Sequence, residues 1–230
     1  VNKIMRWGGV TLLLMAFCGN AVAAFILNGT RFIYEEGKKN ISFDVTNQTD
    51  QTLGGQVWID NTNQGNGVYM IPAPPFFKVG AREKQIVRIM KADSELPTNR
   101  ESLFWLNVQE IPPKPKVEDG NVLAIAVNTK VKLIYRPKTL VATRKGAEKN
   151  IEVIQKAGNT YLANPTPYYF AVVGIKVNGK DIKLGVVEQN ALAQLAPFSE
   201  VSLGKLSLNG SVSVDAVNDW GGVENYPVKG

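Results

Sequence analysis

Twenty carboxylates, one cysteine and no histidine are the side chains with which this 230-residue chain could do acid–base, nucleophilic or metal chemistry. Without imidazole it lacks the usual general base and a common metal ligand. Its single thiol, Cys18, falls in an amino-terminal segment that the sequence marks for removal. The carboxylates are scattered through turns and strand ends, and no pair is set apart by a surrounding motif. These residues argue against an enzyme, and no cofactor, metal or small-molecule substrate is expected. Nor is nucleic acid: basic residues alternate with acids, without a basic patch and its stacking aromatics.

What remains is the chemistry of an unsatisfied strand. The run VLAIAVNTKVKLIYRP, Val122 to Pro137, is apolar on both faces before it turns cationic. Alternation puts Leu123, Ile125 and Val127 on one side and Val122, Ala124 and Ala126 on the other. A central strand buried on both faces reads this way. So does an edge strand that another chain covers, since a bare apolar edge invites aggregation. The residues alone leave both open.

The elements that must position this run read as all-β. Residues 1–23 have the three parts of a secretory signal: Lys3 and Arg6, an apolar run from Trp7 to Phe17, and Ala21-Val22-Ala23 before an expected cleavage. Removing them lowers Lys plus Arg from 26 to 24 against 20 acids, a net +4. Beyond them, short Val-, Ile-, Phe-, Tyr- and Trp-rich runs recur between Gly, Asn, Asp and Pro turns, with no sustained helical period. Strands are expected near Thr30–Tyr34, Asn40–Thr46, Gly55–Asn61, Phe76–Val79, Lys84–Lys91, Ser102–Glu110 and Val122–Tyr135. Seven such strands suit an immunoglobulin-like sandwich spanning residues 24–137, with Trp58 as a core aromatic between its sheets. The proline-rich, charged Ile111–Gly120 loop joins the last two strands. Pro137 interrupts pairing and marks a boundary. A second β unit, residues 138–230, is expected to use Asn150–Lys156, Thr160–Ala163, Phe170–Val177, Val201–Leu206 and Ser211–Val217, with Tyr168 and Tyr169 as core and corner residues.

Several segments resemble the periplasmic pilus chaperones of the PapD type. They are Leu96-Pro97-x-Asn99-Arg100-Glu101-Ser102-Leu103-Phe104-Trp105-x-Asn107, ending in Ile111-Pro112-Pro113, then Thr129 to Pro137, Asn164 to Tyr169, and Asn218-Asp219-Trp220-Gly221-Gly222. The matches fall in order across both halves. The resemblance implies two immunoglobulin-like domains arranged as a boomerang around a cleft. It implies a periplasmic protein that lends its donor strand, here Leu123, Ile125 and Val127, to fimbrial subunits and delivers them to an outer-membrane usher. It also implies that Arg31 and Lys132 anchor the subunit's terminal carboxylate, and that Glu101, Arg136 and Asp219 form an ionic cluster between domains. The short Ile111–Gly120 connection points to the short-loop class. On the family reading the free form is either monomeric or a self-capped dimer.

Alternation places Lys132 on the face opposite Leu123, Ile125 and Val127. Either a bulge or strong twist lies between Val127 and Lys132, or the two faces serve different purposes. Two other readings stand beside the chaperone. One is a fimbrial structural subunit or adhesin of immunoglobulin-like fold. The other is a sugar-binding sandwich using Trp105 or Trp220, against which both tryptophans are expected in the core.

Overall fold

The computed structural model describes residues 24–114 and 125–229. The segment read as a signal, and Leu123 with the start of the apolar run, lie outside the described residues.

The first sandwich contains β1 (Phe25–Leu27), β2 (Arg31–Glu35), β3 (Ile41–Asn47), β4 (Leu53–Asn61), β5 (Met70–Ala73), β6 (Phe76–Val79), β7 (Lys84–Lys91), β8 (Ser102–Ile111) and β9 (Asn128–Arg136). One sheet has the order β1-β3-β7-β5, the other β2-β9-β8-β4-β6. β3 shows why these runs are strands: Phe43, Val45 and Asn47 are buried and alternate with Ser42, Asp44 and Thr46. β8, flanked by β4 and β9, is buried on both faces over much of its length, as a central strand should be.

The second sandwich contains β10 (Glu152–Lys156), β11 (Asn159–Asn164), β12 (Val172–Val177), β13 (Lys180–Asp181), helix α1 (Val186–Leu192), β14 (Ser199–Ser202), β15 (Val212–Val217) and β16 (Val223–Pro227). Its sheets run β10-β11-β14 and β13-β12-β15-β16. Each sandwich buries its own apolar cluster, one around Phe43, Phe104 and Leu133, the other around Ile151, Ile175 and Val214.

Both sandwiches solve one turn in the same way. Buried Asn47 donates from Nδ2 to the carbonyls of Gln51 and Gly80 at 2.7 and 2.9 Å, while its Oδ1 accepts from the Thr49 amide and hydroxyl. Buried Asn164 repeats this, donating to the Tyr168 and Ala196 carbonyls at 2.7 and 2.8 Å and accepting from the amide and hydroxyl of Thr166. An amide is the one short side chain that supplies both donors and an acceptor at such a corner.

Several expectations need correction. Trp58 is only half-buried, because the core-facing residues of β4 are Leu53, Gly55 and Val57 and strict alternation turns Trp58 the other way. The last strand of the first unit begins at Asn128, not Val122, and Ile125 and Val127 are exposed. The ladder with β8 pairs Asn128 with Gln109 and gains one further bond, from the Glu110 amide to the Val127 carbonyl. Ile125 to Val127 form no strand of their own in the chain alone. β5, carrying Pro72 amid turn residues, and β16, exposed along most of its length, lack an apolar alternation that sequence reading could register. α1 escapes notice because Leu192 is its one buried residue, so it has no apolar stripe.

Replacing Asn164 with Ala should destabilise the second sandwich by about 2–4 kcal/mol, since it strands two buried carbonyls and two local donors. Urea unfolding would check this, with exposed Ser42→Ala as a control expected within about 0.5 kcal/mol of the parent.

Candidate functional site

β2 and β9 run parallel, and Arg31 pairs with Lys132 at the first step of their ladder. Parallel neighbours in register share a face, so both cations point the same way. Along β9, Leu133 and Tyr135 enter the first core with Val131 packed beside them. Lys132, Ile134 and Arg136 point to the opposite face. The β8–β9 register is continuous from Asn128 to Tyr135, with no bulge. The two faces therefore differ in purpose, one filling the core and the other carrying charge toward the second sandwich.

β2 supplies partners for β9 only from Lys132 onward, and β1 pairs with β3 in the other sheet. Odd-numbered residues of β9 aim their peptide groups at β8, as the Val127 carbonyl does. Even-numbered ones aim at β2, as the Arg136 carbonyl does in accepting from the Glu36 amide at 2.8 Å. Asn128 and Lys130 thus present peptide groups to a lane with no strand among the described residues. That open lane ends at Arg31.

Both cations at its end are held by carbonyls of the second sandwich. Arg31 Nη1 donates to the Val217 carbonyl at 3.0 Å, and Lys132 Nζ donates to the Ala193 carbonyl just beyond α1. Arg31 Nε is buried with no partner. Burial, reinforced by the Arg31 charge, lowers the Lys132 ammonium to about 8. Burial also lowers Arg31, against the pull of Asp219. Leu103, Ile134, Tyr169, Phe170 and Gln194 wall the narrow crevice between the two cations. Arg31 and Lys132 share one face in register, and a guanidinium and an ammonium so placed have the chemistry to be met together by the oxygens of a carboxylate. The buried Thr160 hydroxyl donates to the Leu206 carbonyl rather than to a base, and no cluster of metal-ligating residues occurs among the described residues.

Next to the crevice, Glu101, Arg136 and Asp219 meet. Arg136 Nε lies 2.6 Å from Glu101 Oε1, and its two terminal nitrogens grip Asp219 at 2.7 and 3.0 Å. Glu101 Oε2 accepts from the Tyr169 amide at 2.7 Å, while the Glu101 amide donates to the Pro167 carbonyl at 2.9 Å. Arg144 adds contacts to Glu148 at 2.7 Å and Asp219 at 3.5 Å. Burial pushes the Glu101 carboxyl up against the opposing pull of Arg136. Burial also opposes ionisation of Asp219, but the hydrogen bonds and charge of Arg136, with the charges of Arg144 and Arg31, outweigh it and hold that carboxyl below its ordinary range.

Residues 24–141 match the family described as "Pili and flagellar-assembly chaperone, PapD N-terminal domain", and residues 146–228 match "Pili assembly chaperone PapD, C-terminal domain". The chain belongs to the PapD family of pilus-assembly chaperones. It is 46% identical to the chaperone protein FanE of Escherichia coli over 95% of this chain and 96% of that one. To the chaperone protein PapD of Escherichia coli it is 34% identical, over 96% and 92% of the two chains. The CupB2 chaperone of Pseudomonas aeruginosa superposes with a TM-score of 0.70 at 28% identity, covering 88% of this chain and 98% of that one.

In this family member the structure brings Arg31 to Lys132 and joins Glu101, Arg136 and Asp219, though each set is far apart in sequence. Arg144 and Glu148 extend the ionic group and went unread in the sequence, where nothing distinguishes them from solvated charges. Trp220 corrects another expectation: it is 94% exposed rather than in the core. Asn218 Oδ1 accepts from the amides of Trp220 and Gly222, curling the loop so that the indole projects outward. Within this loop Gly221 has φ +87° and lies so close to the Thr30 hydroxyl that a Cβ would collide with it. Trp105 is half-buried on the charged face of β8, not in the core. Tyr168 is buried, and its hydroxyl reaches the Leu140 carbonyl at 2.7 Å and the Thr143 hydroxyl at 2.6 Å. Tyr169 lines the crevice.

Glu101→Ala should cost about 3–5 kcal/mol, because it leaves Arg136 buried with half its partners and orphans the Tyr169 amide. Chemical denaturation would measure it, and a loss below about 1 kcal/mol would contradict the coupling drawn here.

Proposed function

We propose that this protein is a non-catalytic periplasmic chaperone that captures fimbrial subunits by donor-strand complementation and hands them to an outer-membrane usher. The observation that carries the reading is the open lane beside Asn128–Val131, which ends at two cations suited to a carboxylate. A subunit strand entering that lane with its carboxyl end toward the cleft runs parallel to β9, and its terminal carboxylate lies between Arg31 and Lys132. The ladder bonds tolerate many sequences, and the anchor sets the register.

In this reading Leu123, Ile125 and Val127 are the donor side chains. Ile125 and Val127 are 68% and 42% exposed, which suits residues reserved for a partner's groove. Burying each aliphatic side chain contributes roughly 1.5–3 kcal/mol before association and ordering costs are subtracted. The Glu101–Arg136–Asp219 bridge fixes the second sandwich so that the Val217 and Ala193 carbonyls hold the anchor cations until a carboxylate replaces them. Names of relatives such as FanE and PapD support a chaperone over a fimbrial subunit or adhesin. The short Ile111–Gly120 connection supports the short-loop class.

Arg31→Ala should abolish recovery of a co-expressed fimbrial subunit while leaving the chaperone folded. Normal recovery would defeat the anchor.

The anchor also has a pH signature. A carboxylate raises the Lys132 ammonium from its free value of about 8, so binding takes up a proton above that pH. Affinity for a subunit's carboxyl-terminal peptide should be fullest below pH 8 and fall by up to about tenfold per unit above it. Titration calorimetry from pH 7 to 9.5 would show the fall, and Lys132→Met should flatten it.

A further inference from the structure

The stretch of β9 beside the open lane has a strand on one side only among the described residues. From Asn128 to Val131 it pairs with β8, and β2 joins it from Lys132 onward. A half-paired strand end frays readily, yet this one is tied down by side chains. Asn107 lies on the face of β8 opposite Phe104, Leu106 and Val108 of the core, and is nevertheless 2% exposed. Its register neighbours there are Trp58 of β4 and Lys130 of β9. Asn107 Nδ2 donates to Asp60 Oδ2 at 2.9 Å and to the Trp105 carbonyl at 3.2 Å, while its Oδ1 accepts from Asn128 Nδ2 at 3.1 Å. Donor and acceptor ends are both engaged, a set that no carboxylate or aliphatic side chain of that size can reproduce. The bonds run diagonally over three neighbouring strands, from Asp60 on β4 to the first residue of β9. Just ahead of that residue the Glu110 amide holds the Val127 carbonyl at 3.0 Å, and the buried Glu110 carboxylate accepts from the Phe25 amide at 3.0 Å. Before these ties, Ile125 to Val127 form no strand.

We infer that Asn107 is a positioning residue for subunit capture: acting through Asn128, it clamps the root of the donor segment and keeps the open edge of β9 extended before a partner arrives. The inference rests on the donor-strand reading. Ladder addition needs the peptide groups of Asn128 and Lys130 aligned along one edge, and an edge already extended avoids the ordering cost that a frayed one incurs on binding. The clamp draws the Asn128 side chain over β8, on the side of β9 away from the lane. It also fixes the point at which Val127 and Ile125 leave the sheet relative to Lys132. In this scheme Asn107 touches no part of the partner.

The test compares Asn107→Leu, which keeps the size and loses the amide, with Asn128→Leu, which removes only the last bond, from an exposed position, and leaves Asn107 on Asp60. In both, hydrogen exchange at the Glu110 amide should quicken by about threefold to tenfold, and in Asn128→Leu the Leu106 amide in the middle of β8 should keep its parent rate. Calorimetry with a valine–serine alternating peptide bearing a free terminal carboxylate should show affinity for the full chaperone falling by about threefold to tenfold in the same variants. Asn128→Gln, which retains an amide donor, should recover both readouts. Parent-like exchange at Glu110 or parent-like affinity in Asn128→Leu would overturn the inference, as would a loss that Asn128→Gln does not recover. A free-acid peptide that binds the parent no better than its amidated form would defeat the carboxylate anchor instead, and exchange at Glu110 would still decide the clamp.

Discussion

The parallel pairing of β2 with β9, beginning at Arg31 and Lys132 and no earlier, is the constraint on which the rest of the site depends. It exists because the chain changes sheets between β1 and β2. Phe25–Leu27 pair with β3, and the Asn28 amide and side chain tie the crossover to Asp44. Had β1 continued straight into β2, it would have covered the edge of β9 over Asn128–Val131 and completed the sheet. The crossover instead leaves two residues of β9 with peptide groups facing a lane that holds no strand among the described residues, and puts a guanidinium and an ammonium at the end of that lane. An edge of this kind is ordinarily an aggregation hazard. In the proposed function its short length, lysines and closed end suit it to one extended segment approaching from one side.

The second sandwich is held against this edge by charge as well as by an apolar seam, in which buried Leu103 and Ile134 face Phe170 and Ala171. The Arg136 guanidinium spends its donors on Glu101 and Asp219, and Glu101 spends its second oxygen on the Tyr169 amide. Burying these groups costs desolvation, so the cluster is poor evidence of added stability. What it supplies is geometry. Bidentate contacts and a fully used carboxylate tolerate little rotation, and they bring the Val217 and Ala193 carbonyls within reach of Arg31 and Lys132. In the proposed mechanism those carbonyls are placeholders, neutral acceptors that a charged carboxylate outcompetes.

Much of this was legible in the residues. The alternation in β3, β7 and β15 marks strands, the prolines mark their ends, and the lack of histidine removes the usual general base. The resemblance to PapD-type chaperones located Arg31, Lys132, Glu101, Arg136 and Asp219, which composition would have left as solvated charges. Other features were illegible for physical reasons. Trp58 reads as core from its strand and Trp220 from its place in a family-like motif, but parity along β4 and a tight Asn218 turn decide otherwise. α1 and β16 bury too little to leave a pattern. The difficulty over Lys132 dissolved once each face of β9 had its own work, a division visible only when the second sandwich is in place.

The central claim is that a partner strand adds to the open lane of β9 with its carboxylate at Arg31 and Lys132. Hydrogen exchange at the Asn128 and Lys130 amides tests it most directly, because those groups have no ladder partner among the described residues and become ladder bonds if the claim holds. Adding a saturating subunit carboxyl-terminal peptide should slow exchange at both sites while leaving Thr129, already paired to β8, little changed, and an amidated peptide at the same concentration should have little effect. Unchanged exchange at Asn128 and Lys130 with the free-acid peptide demonstrably bound would contradict the account.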